Sequence, residues 1–98
     1  MTVIRHVVFR GRVQGVGFRA FVEQQAMQFG VEGWVRNRRN GVTVEAVFAG
    51  AAETVAAVIE ACRKGPPHGR VDAVDQRDGT AEELALRKQD TFAVLPTF

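Results

Sequence analysis

Apolar positions along the chain switch between a spacing of two and a spacing of three to four, and each switch predicts a new element. From Val3 to Val13 the residues are largely β-branched or aromatic. Val3, Val7 and Phe9 fall on one side and His6 and Arg10 on the other, which predicts a strand. Between Phe18 and Phe29, the residues Phe18, Phe21, Val22, Ala26 and Phe29 share one helical face, and Gly30 stands where a left-handed cap belongs. Val31–Asn37 and Val42–Phe48 read as strands. In the second, Val42, Val44, Ala46 and Phe48 alternate with Thr43, Glu45 and Val47. Asn40-Gly41 between them supplies the positive φ of a tight hairpin. A second helix is predicted from near Ala51–Glu53, with Val55, Val58, Ile59 and Cys62 on its apolar face and Lys64-Gly65-Pro66-Pro67 as its stop. Val71–Gln76 and Phe92–Leu95 are weaker strand candidates, and Pro96 suits a strand end at a sheet edge.

The predicted order is β-α-β-β-α-β, so the expected fold class is α+β. It is a ferredoxin-like sandwich, an antiparallel sheet with two helices on one face, formed by residues 1–98 as a single domain. A helical crossover makes the first two strands run the same way. The chain near Val13 and the chain near Asn37 therefore emerge at the same end of the sheet, and residues distant in sequence can meet there.

Composition narrows the function. With 98 residues, 46% hydrophobic and 24% charged, the chain supports one core of ordinary make-up. A formal charge of +2 is too mild to imply a nucleic-acid or membrane partner. One cysteine excludes an internal disulfide, and one cysteine with two histidines leaves too few soft ligands for structural zinc. No apolar run approaches the ~20 residues needed to span a bilayer, and the start of the chain does not read as a signal peptide; both point to the cytoplasm. Cys62 is expected in the core, His6 and His68 at the surface, Glu82 and Glu83 in a solvated connection, and Trp34 packed on the sheet.

The stretch Gly11-Arg12-Val13-Gln14-Gly15-Val16-Gly17-Phe18-Arg19 runs from a strand into the first turn of a helix. Its glycines permit tight turns and close approach to the main chain. A helix start offers unpaired N–H groups and partial positive charge, and the Gly15–Arg19 amides can curl into a nest for a tetrahedral anion. The Arg19 guanidinium adds a planar fork that matches two oxygens. The competing reading is a simple glycine turn with a solvated arginine. The stretch is no Walker loop and only a poor dinucleotide fingerprint. At the same sheet end, Asn37 offers a carboxamide able to orient a water without becoming charged, or else it merely turns the hairpin. Arg36, Arg38 and Arg39 beside it can draw anions inward, an effect that salt weakens.

Together, Gly11–Arg19 and Gly33-Trp34-Val35-Arg36-Asn37, followed by Gly41 and Gly50, resemble the two signatures of the acylphosphatase family. Gly65-Pro66 leading to Val71 and Val74 resembles its path into the fourth strand, so the likeness covers essentially the whole chain. It departs at Gly69 and in the tail Leu95–Phe98, which lacks a tyrosine. The resemblance implies hydrolysis of acyl phosphates to a carboxylate and inorganic phosphate, with Arg19 binding the phosphoryl group and Asn37 orienting the attacking water. The backbone amides of Gln14, Gly15, Val16, Gly17, Phe18 and Arg19 would complete the phosphate cradle. It further implies a cytoplasmic monomer acting on a small molecule, with no metal, cofactor, nucleic acid or membrane. A non-catalytic RNA platform on the same fold needs exposed aromatics on the central strands, whereas Phe9 and Phe48 fall with the core-facing set.

Overall fold

The computed structural model describes residues 1–89 and 91–98. Its elements are β1 (Thr2–Arg12), α1 (Phe18–Phe29), β2 (Glu32–Asn37), β3 (Thr43–Ala51), α2 (Ala52–Lys64), β4 (Arg70–Asp78), a short α3 (Ala81–Leu84) running into a 3₁₀ turn at Ala85–Arg87, and β5 (Phe92–Val94). The strands form one sheet in the order β4-β1-β3-β2-β5. β1 pairs antiparallel with both β3 and β4, and β3 pairs antiparallel with β2. The expected βαββαβ order is present, with one departure: β5 lies parallel to β2, so the sheet is mixed rather than wholly antiparallel. The reason is the route of the chain. After β4 it crosses the face opposite α1 and α2 through α3, and it reaches the β2 edge from the side that imposes a parallel run.

Alternation along the strands builds two packed layers. Val7, Phe9, Val35, Val44, Ala46 and Phe48 meet α1 and α2 in the main core, where Val22, Ala26, Val55, Val58 and Cys62 are fully or almost fully buried. Cys62 is thus a core residue, and burial pushes its thiol up to about 12. On the opposite face Trp34, Val47 and Ala93 form a second cluster covered by Leu84 and Leu95. The Trp34 indole nitrogen donates to the Glu83 carbonyl at 2.7 Å, so α3 closes over the tryptophan.

The acidic connection is accordingly not a bare solvated run. Thr80 and Glu83 form a reciprocal capping box, and Glu83 also accepts from Arg77 at 2.6 Å. His6 is likewise no surface residue. It is 8% exposed, and its Nε2 lies 2.6 Å from Glu45 Oε2. Alternation places His6 on the side of β1 away from the main core, but there its imidazole meets Glu45 of the neighbouring β3 rather than open water.

Candidate active site

The first helix starts without a cap. Gly17, with φ 78°, turns the chain left-handed into α1, no side chain bonds the helix start, and no acidic residue occupies its first turn. The other two helices begin with acidic residues, Glu53 in α2 and Glu82 and Glu83 in α3. The N-terminus of α1 therefore keeps its partial positive charge for an outside anion. Gly15 has φ 75°, and a β-carbon at Gly15 or Gly17 would meet nothing within 4 Å. Backbone conformation, rather than crowding, requires glycine at both positions. None of the amides of residues 14–19 donates to another group among the described residues.

The turn is fastened from outside. The Gln14 side-chain nitrogen donates to the carbonyls of Arg38 (2.7 Å) and Thr43 (2.8 Å), tying the glycine turn to the β2–β3 hairpin. Asn37 ends β2 opposite Val44, and its carbonyl accepts from the Phe98 amide at 3.0 Å. The tail beyond β5 thus continues along β2: Leu95 N donates to Val35 O, and Arg39 N donates to Phe98 O. Asn37 is held between β3 on one side and the chain's last residue on the other.

Gly15, Gly17, Phe18, Arg19 and Asn37 line one cavity of about 320 Å³, together with Val13, Ala20, Glu23 and Val94. Gln14 and Val16 belong to the same turn but do not line it; Val16 packs against the core instead. Arg19 is half-buried and has no carboxylate within ion-pair distance among the described residues, whereas most other arginines are paired. The Asn37 carboxamide oxygen is buried with no hydrogen-bond partner. An orphaned buried acceptor is costly unless something outside the chain satisfies it, and a half-turn of the amide exchanges its donor and acceptor ends. A larger cavity of about 520 Å³ lies beyond Val13, against Arg10, Arg12, Arg70 and Asp72. It receives neither Arg19 nor Asn37, and two of its arginines are already engaged by Asp75 and Asp72.

Behind the site lies a buried charge cluster that alternation alone did not reveal. Glu45 accepts from Arg36 at 2.8 Å and from His6, and Arg38 stands 3.6 Å away. Burial opposes the Glu45 charge, but the hydrogen bonds and positive charges of His6 and Arg36 outweigh it and hold the carboxyl below its ordinary value. The Arg36 guanidinium also lies 4.6 Å from the Trp34 ring and 4.2 Å from the Phe98 ring. Arg36 is therefore neutralised and enclosed, and any long-range attraction of anions falls to Arg38, Arg39 and Arg19. Glu23 sits one helical turn beyond Arg19, and that i, i+4 spacing is the mark it leaves in the sequence.

Residues 5–93 match the sequence model of the Acylphosphatase family. The chain is 55% identical over 97 residues to the acylphosphatase of Rhodopseudomonas palustris (strain BisB18), covering 98% of this chain and 97% of that one. It is 57% identical over 95 residues to the acylphosphatase of Bradyrhizobium diazoefficiens, covering 96% and 95%. The crystal structure of acylphosphatase from Bacillus subtilis superposes with a TM-score of 0.83 at 30% identity, covering 97% of this chain and 99% of that one.

Proposed function

The chain belongs to the acylphosphatase family and hydrolyses acyl phosphates, and from that premise we propose that Arg19, the amides of Gln14–Arg19 and Asn37 carry the reaction. One observation carries this reading: an unpaired guanidinium, an uncapped helix start and an orphaned carboxamide oxygen converge on one cavity. The guanidinium fork and the main-chain donors hold the three phosphoryl oxygens. Asn37 holds a water in line with the bond from phosphorus to the acyl oxygen. The water oxygen bonds to phosphorus as that bond breaks. The carboxylate leaves with the electron pair, one of the water's protons passes to a phosphoryl oxygen and the other stays on the attacking oxygen, giving inorganic phosphate.

The leaving group is a weak base, so little acid catalysis is needed, which suits a cavity without histidine. Phosphoryl transfer through a loose transition state depends on position and charge, and this wall supplies both. Among the described residues no group of three or more His, Cys, Asp or Glu is arranged to hold a metal ion, and no helix is long and apolar enough to cross a membrane. Family membership supports a small acyl phosphate as the substrate; a monomer acting in the cytoplasm, without cofactor or nucleic acid, is part of the same proposal.

The test is phosphate release from benzoyl phosphate in the presence of a chelator. Wild-type protein should turn over undiminished. Asn37→Ala should lose about 10²–10³-fold in kcat while phosphate inhibition is retained, the cost of removing one preorganised group from a comparable site. Arg19→Lys keeps the charge but loses the fork, and should weaken phosphate inhibition as well as turnover. Full activity in Asn37→Ala would remove the water-positioning role, and unchanged phosphate inhibition in Arg19→Lys would remove the binding role.

A further inference from the structure

The wall that carries Arg19 also carries a negative charge. Glu23 lies four residues on along α1, lines the same cavity of about 320 Å³, and is half-buried. It makes no hydrogen bond or ion pair among the described residues, although Arg19 is its i, i+4 neighbour. The rest of the wall away from the glycine turn is apolar, made by Val13, Ala20 and Val94. With the phosphoryl group at the helix start, an acyl group in this cavity meets an apolar surface and one carboxylate. We propose that Glu23 is a specificity-determining residue that selects neutral or cationic acyl groups and rejects those bearing an anion of their own.

This assignment rests on the phosphoryl group occupying the Arg19 cradle. Its physical basis is Coulombic. A second carboxylate or phosphate on the acyl group would approach Glu23 in a cavity partly shielded from water, where like charges repel more strongly than in bulk solvent. An aromatic acyl group gains contact with Val13, Ala20 and Val94 and brings no charge for Glu23 to oppose, and an ammonium-bearing one gains an ion pair. The phosphate end of the substrate is the same in every case, so the charge on Glu23 acts on the choice between acyl groups.

The experiment compares kcat/KM for benzoyl phosphate with kcat/KM for the monoacyl phosphate of a dicarboxylic acid, in wild type, Glu23→Gln and Glu23→Lys. Wild type should favour benzoyl phosphate. Glu23→Gln should shift the ratio toward the dicarboxylate-derived substrate by about fivefold, and Glu23→Lys should shift it further. As salt is raised from ~0.02 M to ~0.5 M, the gap between the wild-type and Glu23→Gln ratios should close, because screening removes the Glu23 repulsion while the pull of Arg38 and Arg39 on the extra carboxylate weakens alike in both proteins. A ratio that stays constant across the three proteins overturns the proposal. So does an equal change for both substrates together with altered phosphate inhibition, which would make Glu23 a partner of Arg19 instead. If wild type releases no phosphate from benzoyl phosphate, the failure lies with the catalytic reading itself.

Discussion

At the scale of single residues, glycines that look alike in the sequence do different work. Gly17 and Gly33 both have positive φ, 78° and 142°, but only Gly33 faces a crowded neighbour: a β-carbon there would overlap the carbonyl of Val47 across the β2–β3 ladder. Gly33→Ala should cost on the order of 3 kcal/mol or more in urea unfolding. Gly17→Ala should cost only about 1–2 kcal/mol, the price of a left-handed L-residue, while lowering kcat far more than stability because it distorts the helix start. Glu45 is a third kind of case. It is 6% exposed and pairs with the enclosed Arg36, so Glu45→Gln leaves that buried guanidinium unanswered and should cost about 3 kcal/mol. The folded carboxyl lies below its ordinary value of 4.5, so the wild-type advantage over Glu45→Gln is full above about pH 4.5 and fades as acid protonates the folded state; chemical denaturation at several pH values measures it. The glycine turn and Arg19 are legible because backbone freedom and a guanidinium leave a local mark, whereas Asn37 stands out only through the resemblance and its place at the same sheet end, since an asparagine there also fits a plain hairpin turn. Glu45 and His6 are not legible, since an alternating strand says which side a residue faces and not what covers that side.

At the scale of elements, α1, α2 and the starts of β2 and β3 lie within a residue of where the periodicity places them, because each has a long periodic face and a glycine beside it, while β3 runs three residues beyond Phe48 to Ala51. The chain between β4 and β5 carries no such face. Ala81–Leu84 is too short to show a period, and its helix exists because Thr80 and Glu83 cap it and Trp34 bonds to it. That makes α3 sensitive to its cap. Thr80→Ala should cost about 1 kcal/mol and shift Trp34 emission to the red. The Arg77 hydrogen bond, aided by the Thr80 amide and opposed by partial burial, holds the Glu83 carboxyl down at about 2. A carboxyl lowered on folding stabilises above its unfolded value and stops doing so below its folded one. The difference in melting temperature between wild type and Glu83→Gln should therefore be largest above pH 4.5 and vanish as pH falls through about 2. A difference that instead grew in acid would show that the cap owes nothing to the charge.

At the scale of the whole molecule, one sheet separates two cores that share its strands. Val35 and Trp34 are neighbours in β2 and point to opposite faces, as do Ala46 and Val47 in β3. Neither core can come apart through strand separation without undoing the other, because the same ladder bonds hold both. The chain carries one natural probe on each side: Trp34, its only tryptophan, beneath α3, and Cys62, its only cysteine, on the buried face of α2. The Cys62 thiol, raised to about 12 by burial, is unreactive while the fold is intact, so alkylation reports opening of the main core. At neutral pH in urea, Trp34 emission and Cys62 labelling should follow the same transition. In Thr80→Ala the tryptophan signal should move at lower urea than the cysteine signal, because α3 can lift from the sheet while the strands remain paired. If the two signals separate already in wild type, the face over Trp34 opens on its own. The clamp that β5 and the tail to Phe98 place on Asn37 would then loosen before the main core does, and activity in urea should follow the tryptophan rather than the thiol.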